Sequence, residues 1–365
     1  MRMTLAATCS FAVEAVLAPV LASFLASFAT AAVAADPQYK IVTASERGTY
    51  IQIGKDLAKL VAPDAGIQLQ ALPSVGSSEN VERLRYEPGV KLALVQSDVY
   101  QAFLDLAANG NADAGTMIGP LRVVMPLYNE EIYFIARSDS PLNFVHEIKD
   151  AKINVGPLRS GTAMSATTIF RQMFGAPIGE GQASYLSNED ALVRLTVDKT
   201  LDVVVIVGGQ PTKLLVDMKP EARALIKLLK FDANRPESKA ALQTYFATNV
   251  RAASYPNLLA EDVPSVAVRA YLVTYDYKVR EVANHLRRFA GSLCQNFAQL
   301  QTQGHPKWRD VELRLPELGQ GWLYYPTTER TLRSCIAKLP QAKQATPVRV
   351  CSQQETILGL CQVKR

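Results

Sequence analysis

Five short stretches concentrate hydroxyls, amides and glycines: SERGTY at Ser45–Tyr50, SVGSSEN at Ser74–Asn80, QSD at Gln96–Asp98, GPLRSGT at Gly156–Thr162 and VGGQPT at Val207–Thr212. Each follows a short apolar run and opens an amphipathic one. That pattern places them where strands end and helices begin. There, unpaired backbone N–H groups and the positive end of the helix dipole face outward. Small residues let a ligand reach those groups, and a carboxylate is a natural occupant. Any single stretch is explained as well by helix capping, for which Ser77 or Ser78, Ser97 and Ser160 are suited. Five of them, spread over both halves of the chain, point to a cleft lined by helix N-termini. Composition alone carries this to a small ligand, anionic or zwitterionic.

The residue types for turnover are missing. No G-x-x-x-x-G-K-[ST] phosphate loop occurs, no G-x-G-x-x-G follows a strand, and there is no G-x-S-x-G elbow or H-E-x-x-H pair. Glu130 and Glu131 are adjacent on an extended run, so their side chains face opposite ways and make no acid–base dyad. The histidines His146, His285 and His305 lie far apart, and no C-x-x-C occurs, so neither metal nor cofactor is expected. Binding without turnover, in a protein that is not an enzyme, is the reading.

Composition fits a globular protein: 365 residues, 48% apolar and 20% charged. The excess of 39 basic over 34 acidic residues is modest and spread out, with no stripe for nucleic acid. The N-terminus has one early Arg2, a long Ala/Leu/Val/Phe run and Ala32-Val33-Ala34 before a polar start. Residues 1–34 therefore read as a cleavable signal peptide and the mature chain as periplasmic. An uncleaved anchor is the rival, since the apolar run from Ala15 to Ala35 approaches spanning length. Cys9 would leave with that segment. Cys294, Cys335, Cys351 and Cys361 remain, and an even number in an exported chain suggests disulfides. Cys294 with Cys335, and Cys351 with Cys361, is the preferred pairing of three.

These groups must be positioned by the elements between them. From Tyr39 the chain alternates strand and helix patterns: YKIVTA, YIQIGKDLAKLVA, IQLQAL, SENVERLRY, KLALVQ and SDVYQAFLDLAANG. In the last, Val99, Phe103, Leu106 and Ala107 fall on one helix face. Such alternation predicts an α/β architecture with a mainly parallel sheet. LRVVMPLYNEEIYFIARS predicts two extended runs broken near Asn129. A second α/β set follows through LDVVVIVGG and ALIKLLKF. SVAVRAYLVTY is a long strand, and one helical stretch runs from Tyr277 to about Gln303. Two α/β lobes are expected, residues 38–127 plus 245–330 and residues 128–244. Crossings fall near Tyr128 and between Thr244 and Ser254, the ligand cleft lies between the lobes, and 331–365 forms a Cys-bearing tail.

The stretches SVGSSENVERL, LALVQSDVYQA, LRVVMPLYNEEIYFIAR, INVGPLRSGT, NEDALVRLTVDKTLDVVVIVGGQP and YPNLLAEDVPSVAVRAYLVT occur in one order across about residues 40–300. Together they resemble the TAXI-type solute-binding receptors of tripartite ATP-independent periplasmic (TRAP) transporters. The resemblance implies a two-lobed, type II-like periplasmic binding protein with two crossover segments. It implies an exported monomer that closes on glutamate or another small carboxylate and delivers it to a small and a large membrane subunit. Carried onto this sequence, the cleft residues are Thr49, Tyr50, Ser77, Asn80, Gln96, Asp98, Tyr128, Ser160, Gly161, Thr162 and Gln210. Ser77, Ser160 and Thr162 would offer hydroxyls to a carboxylate, while Asn80 and Gln96 can donate and accept. Asp98 either accepts from an ammonium group or serves as a first-turn helix charge. Tyr50 and Tyr128 would wall the cleft.

The chain departs from that pattern in two places. The family's first loop reads Gly-Gly-x-Tyr-Tyr, whereas here Glu46 and Arg47 stand in it. Arg47 is a candidate contact for an anion. The segment ELGQGWLYYPTTERTLRSC and the tail to Arg365 match poorly. A ligand-sensing or regulatory protein on the same fold, uncoupled from transport, is the alternative these departures keep open.

Overall fold

Strands of alternating burial and amphipathic helices build one mixed sheet with helices on both faces. The computed structural model describes residues 36–46, 48–319 and 321–339. The signal-peptide segment, Arg47, Cys351 and Cys361 lie outside the described residues. The strands are β1 (Gln38–Val42), β2 (Gln68–Leu72), β3 (Val90–Gln96), β4 (Leu121–Arg137), β5 (Ile153–Asn154), β6 (Ala183–Ser184), β7 (Val203–Gly208), β8 (Ile226–Leu228), β9 (Phe246–Val250) and β10 (Val263–Tyr275). They run in the order β2-β1-β3-β10-β4-β7-β5-β6, with β8 on β4 and β9 on β10. The helices are α1 (Thr49–Leu60), α2 (Ser77–Tyr86), α3 (Val99–Ala108), α4 (Ala112–Ile118), α5 (Gly161–Phe174), α6 (Asn188–Thr196), α7 (Lys213–Val216), α8 (Pro220–Arg223), α9 (Pro236–Ala241), α10 (Arg280–Gln295), α11 (Phe297–Gln303) and α12 (Pro326–Ile336).

The sheet is not mainly parallel. Its outer pairs, β1 with β2 and β3 and β5 with β6 and β7, are parallel. Every pair that includes β4 or β10 is antiparallel. The cause is that β4 and β10 are long central strands running opposite to their neighbours. Nor is β4 broken near Asn129. Asn129 sits opposite Arg269 of β10 in the ladder, and its Oδ1 accepts from Arg269 Nε at 3.0 Å. A polar residue satisfied across the strand pair no longer forces a turn. Likewise the stretch after Tyr277 is two helices, parted at Asn296, whose Nδ2 donates to Asp64 Oδ2 at 2.8 Å. On α3 only Val99 and Phe103 are buried, and Leu106 is 49% exposed.

Four buried clusters sit on this sheet, and β4 and β10 run through all of them. Val124, Met125, Ala270 and Leu272 pack under α1, α10 and α12. Val123, Tyr271 and Val273 face α3 and α4. Further along the same strands, Ile132, Phe134, Val266 and Val268 pack under α5 and α9, with Tyr245. Tyr133 and Ile135 join Leu195 of α6, Val250, Tyr255 and Val263. Side-chain alternation along each strand splits these residues between the two faces. Cys294 of α10 is disulfide-bonded to Cys335 of α12, the first of the two expected pairs. Among the described residues no helix is long and apolar enough to cross a membrane.

Candidate ligand site

The carboxylates of β4 organise the site. Glu130 and Glu131 do point opposite ways, and both are buried. Glu130 Oε2 accepts from Tyr50 OH at 2.8 Å. Tyr50 reaches it from the first turn of α1. Burial pushes the Glu130 carboxyl up to about 7, partly offset by the Tyr50 hydrogen bond and the charge of Lys307. On the other side Glu131 accepts from both the backbone N (2.9 Å) and Nε2 (3.0 Å) of Gln210. Burial raises this carboxyl too, against the charge of Lys307. The Gln210 amide is fully used, since Nε2 also reaches Asn249 O and Oε1 accepts from Arg251 N. One glutamine therefore ties β4, β9 and the end of β7 together.

Lys307 is the unexpected member. It sits on a short 3-10 turn, Pro306–Asp310, with its side chain only 6% exposed. Its Nζ donates to Asp310 Oδ2 at 2.8 Å and stands 5.3 Å from the Tyr128 ring centroid. A desolvated ammonium over an aromatic face is favourable. The Tyr128 hydroxyl is buried without a hydrogen-bond partner among the described residues. These groups edge a cavity of about 470 Å³, lined also by Asn129, Asn249, Arg251 and Arg269. That volume suits a small organic molecule. Arg269 is held in place from two sides, by Asn129 and by the Phe246 ring 5.6 Å from its guanidinium carbon. Neither Arg251 nor Arg269 has an ion-pair partner among the described residues. The lining thus combines four cations, Arg251, Arg269, Lys307 and Arg314, with four carboxylates, Glu131, Asp262, Asp310 and Glu312.

The other junctions converge next to this region and bond largely to one another. Ser77 Oγ accepts from Gln96 N at 3.0 Å. Gln96 in turn lies against Gly161, where a Cβ would stand 2.0 Å from its Oε1. Gly76 adopts φ +138°, and a Cβ there would fall 2.8 Å from Gly161 N, so the starts of α2 and α5 meet backbone to backbone. Asp98 is fully buried. Its Oδ2 accepts from Ser165 Oγ (2.6 Å) and Tyr245 OH (2.9 Å), while Oδ1 has no partner among the described residues. Burial raises this carboxyl to about 6, with both hydrogen bonds opposing.

Of the expected caps, only Ser160 acts as one, accepting from Ala163 N. Ser77 is instead the first residue of α2, and Ser97 Oγ accepts from Arg269 N at 3.3 Å. Asn80 donates to Thr43 O and, at 2.6 Å, to Leu94 O, and accepts from Ser74 Oγ. Its amide is spent stitching α2 to β1 and β3. Thr49 and Thr162 are half-buried, with Thr162 packed under Gly156.

The residues that sequence reasoning overlooked are Lys307, Arg251, Arg269, Ser165 and Tyr245. Glu130 and Glu131 were legible as two acids inside an apolar strand, a pattern that requires buried partners. Nothing around Lys307 signals its burial.

The fold is thus a mixed α/β sheet crossed by two long antiparallel strands, with a polar, charge-lined cavity beside them. Residues 41–309 match the NMT1-like family, and the chain belongs to it. Solved structures resemble it at low identity. XAC2383 from Xanthomonas citri, bound to ATP, is 13% identical over 82% of this chain and 96% of that one, with a TM-score of 0.44. The periplasmic binding protein BugD is 14% identical over 82% and 94%, at 0.46. The putative periplasmic sulfonate-binding protein SsuA from Methylobacillus flagellatus KT is 11% identical over 73% and 69%, at 0.44.

Proposed function

We propose that this protein is an extracytoplasmic solute receptor. It captures a small organic anion or amino acid, glutamate-like or another carboxylate, without turnover, and passes it to the membrane subunits of a TRAP-type transporter. The observation that carries this reading is the cavity at Tyr128, Glu131, Gln210, Arg269 and Lys307, about 470 Å³ with both signs of charge in its walls. A zwitterion or carboxylate can be matched there group by group, with Arg269 already oriented.

In this proposal residues 38–127 with 245–330 and residues 128–244 form two lobes that hinge on β4 and β10. The first 34 residues direct export. A thermal-shift screen of ligand-free protein against amino acids and small carboxylates tests the reading. A ligand present at 100 times its Kd should stabilise the fold by about 2.7 kcal/mol. Arg269→Ala should abolish that stabilisation. No shift with any member of the panel would count decisively against a solute receptor.

A further inference from the structure

A second concave region lies on the far side of the first core, between α10 and α12. Its volume is about 630 Å³. Arg287 on α10 and Arg330 and Lys338 on or just beyond α12 line it, together with the hydroxyls of Thr327, Thr331 and Ser334. Among the described residues no carboxylate lines it. None of the three cations has an ion-pair partner among the described residues, although nearby Arg333 pairs with Glu329. All three are exposed. Gly291 leaves its floor open, since a Cβ there would only touch Thr331 Cγ2 at 3.8 Å. The Cys294–Cys335 disulfide joins the two helices beside it.

We propose that this groove docks an acidic peptide segment of a partner protein. Three exposed like charges with no acid among them repel one another, and a polyanion brought in from outside relieves that repulsion. Arg330 and Lys338 are eight residues apart, roughly 12 Å at a helical rise. An extended segment covers that distance in about four residues with alternate side chains on one face, and meets the cations without drawing their long side chains together on a single phosphate or headgroup. Among the described lining residues Leu339 is the one large aliphatic side chain that could insert into a lipid surface. The chain's own last 26 residues are a poor occupant. They carry Lys343, Arg349, Lys364 and Arg365 against Glu355 alone.

The experiment uses the full chain and a fluorescein-labelled hexaglutamate peptide, read by anisotropy at low salt. Binding is expected to weaken as salt rises. The triple variant Arg287→Ala/Arg330→Ala/Lys338→Ala should weaken it at least tenfold. A control triple at exposed sites elsewhere, Lys149→Ala/Lys199→Ala/Lys219→Ala, should change it less than twofold. Gly291→Leu, which fills the groove without altering charge, should weaken it at least fivefold. Equal losses in the two triples, unchanged binding in Gly291→Leu, or no binding by the wild-type chain overturns the proposal. So does displacement of the peptide by inorganic phosphate at matched ionic strength, or groove-dependent binding of phosphatidylglycerol vesicles without peptide binding. Solute-induced thermal shifts should be the same in all these variants, so this test stands or falls apart from the solute-receptor reading.

Discussion

Glu130 shows how one buried side chain sets a pH response. Its carboxyl is raised to about 7 by burial, and that of Asp98 to about 6. In the unfolded chain both titrate near pH 4. Between these limits the folded state holds protons that the unfolded state has lost, so stability falls as pH rises from about 4 to about 7. The groups facing Glu130 are Tyr50, Gln96, Lys307 and Glu131. Glu130→Gln should flatten the fall between about pH 6 and 7 and make it shallower below about pH 6, where Asp98 still titrates. Urea melts at half-unit pH steps would show it, and an unchanged slope would remove Glu130 as the source. Asn80 works differently. Replacing it with Ala removes the side-chain donor to Leu94 O and one of two donors to Thr43 O, which Ser74 Oγ also reaches, costing about 2 kcal/mol. Denaturation melts check that figure, and a variant that loses ligand affinity at full stability would return Asn80 to the cleft.

At the scale of elements, two junctions carry the geometry. The start of α2 needs Gly76, because φ +138° is a conformation open in practice only to glycine, and because Gly161 N crowds its Cβ position. Gly76→Ala should cost about 2 kcal/mol and speed amide exchange at the first turn of α5, as read by hydrogen-exchange mass spectrometry. Protection equal to wild type there would mean the two helix starts do not press on each other. The second junction is α10 with α12. Closing a loop with a sequence separation of 41 residues restrains the unfolded chain by about 4 kcal/mol in the chain-entropy account. Cys294→Ser/Cys335→Ser should lower stability by up to that amount while leaving the cavity's affinity unchanged.

Across the whole molecule, the two lobes proposed above would touch through their own side chains. Asp98 accepts from Ser165, Arg159 pairs with Glu82 and Arg171 with Asp105. The exposed pairs contribute under about 1 kcal/mol each. The buried Asp98 contact is therefore the stronger tie. Asp98→Ala/Ser165→Ala should raise the radius of gyration of the ligand-free protein in small-angle scattering, and a saturating solute should bring it back. An identical radius in both proteins would show that the halves are held by β4 and β10 alone.

Much of this was legible in the chain before it folded. Periodicity placed β1 to β3, β7, β8, β10 and α1 to α3, but not β6, β9, α4, α8, α9 or α12, and the small polar clusters at strand ends marked Ser77, Gln96, Asp98, Ser160 and Gly161, which do come together. Those features are local, set by side-chain period and by the needs of helix termini. What only the tertiary structure decided is long-range. That β4 runs unbroken depends on Arg269 lying across from Asn129, 140 residues away. The direction of the central strands, the burial of Lys307 beneath Tyr128 and the placing of Arg269 in the cavity depend likewise on pairings between distant segments. Period and propensity carry no record of which distant residue will satisfy a buried charge. That choice is made when the sheet closes and leaves each polar group only the partners within reach.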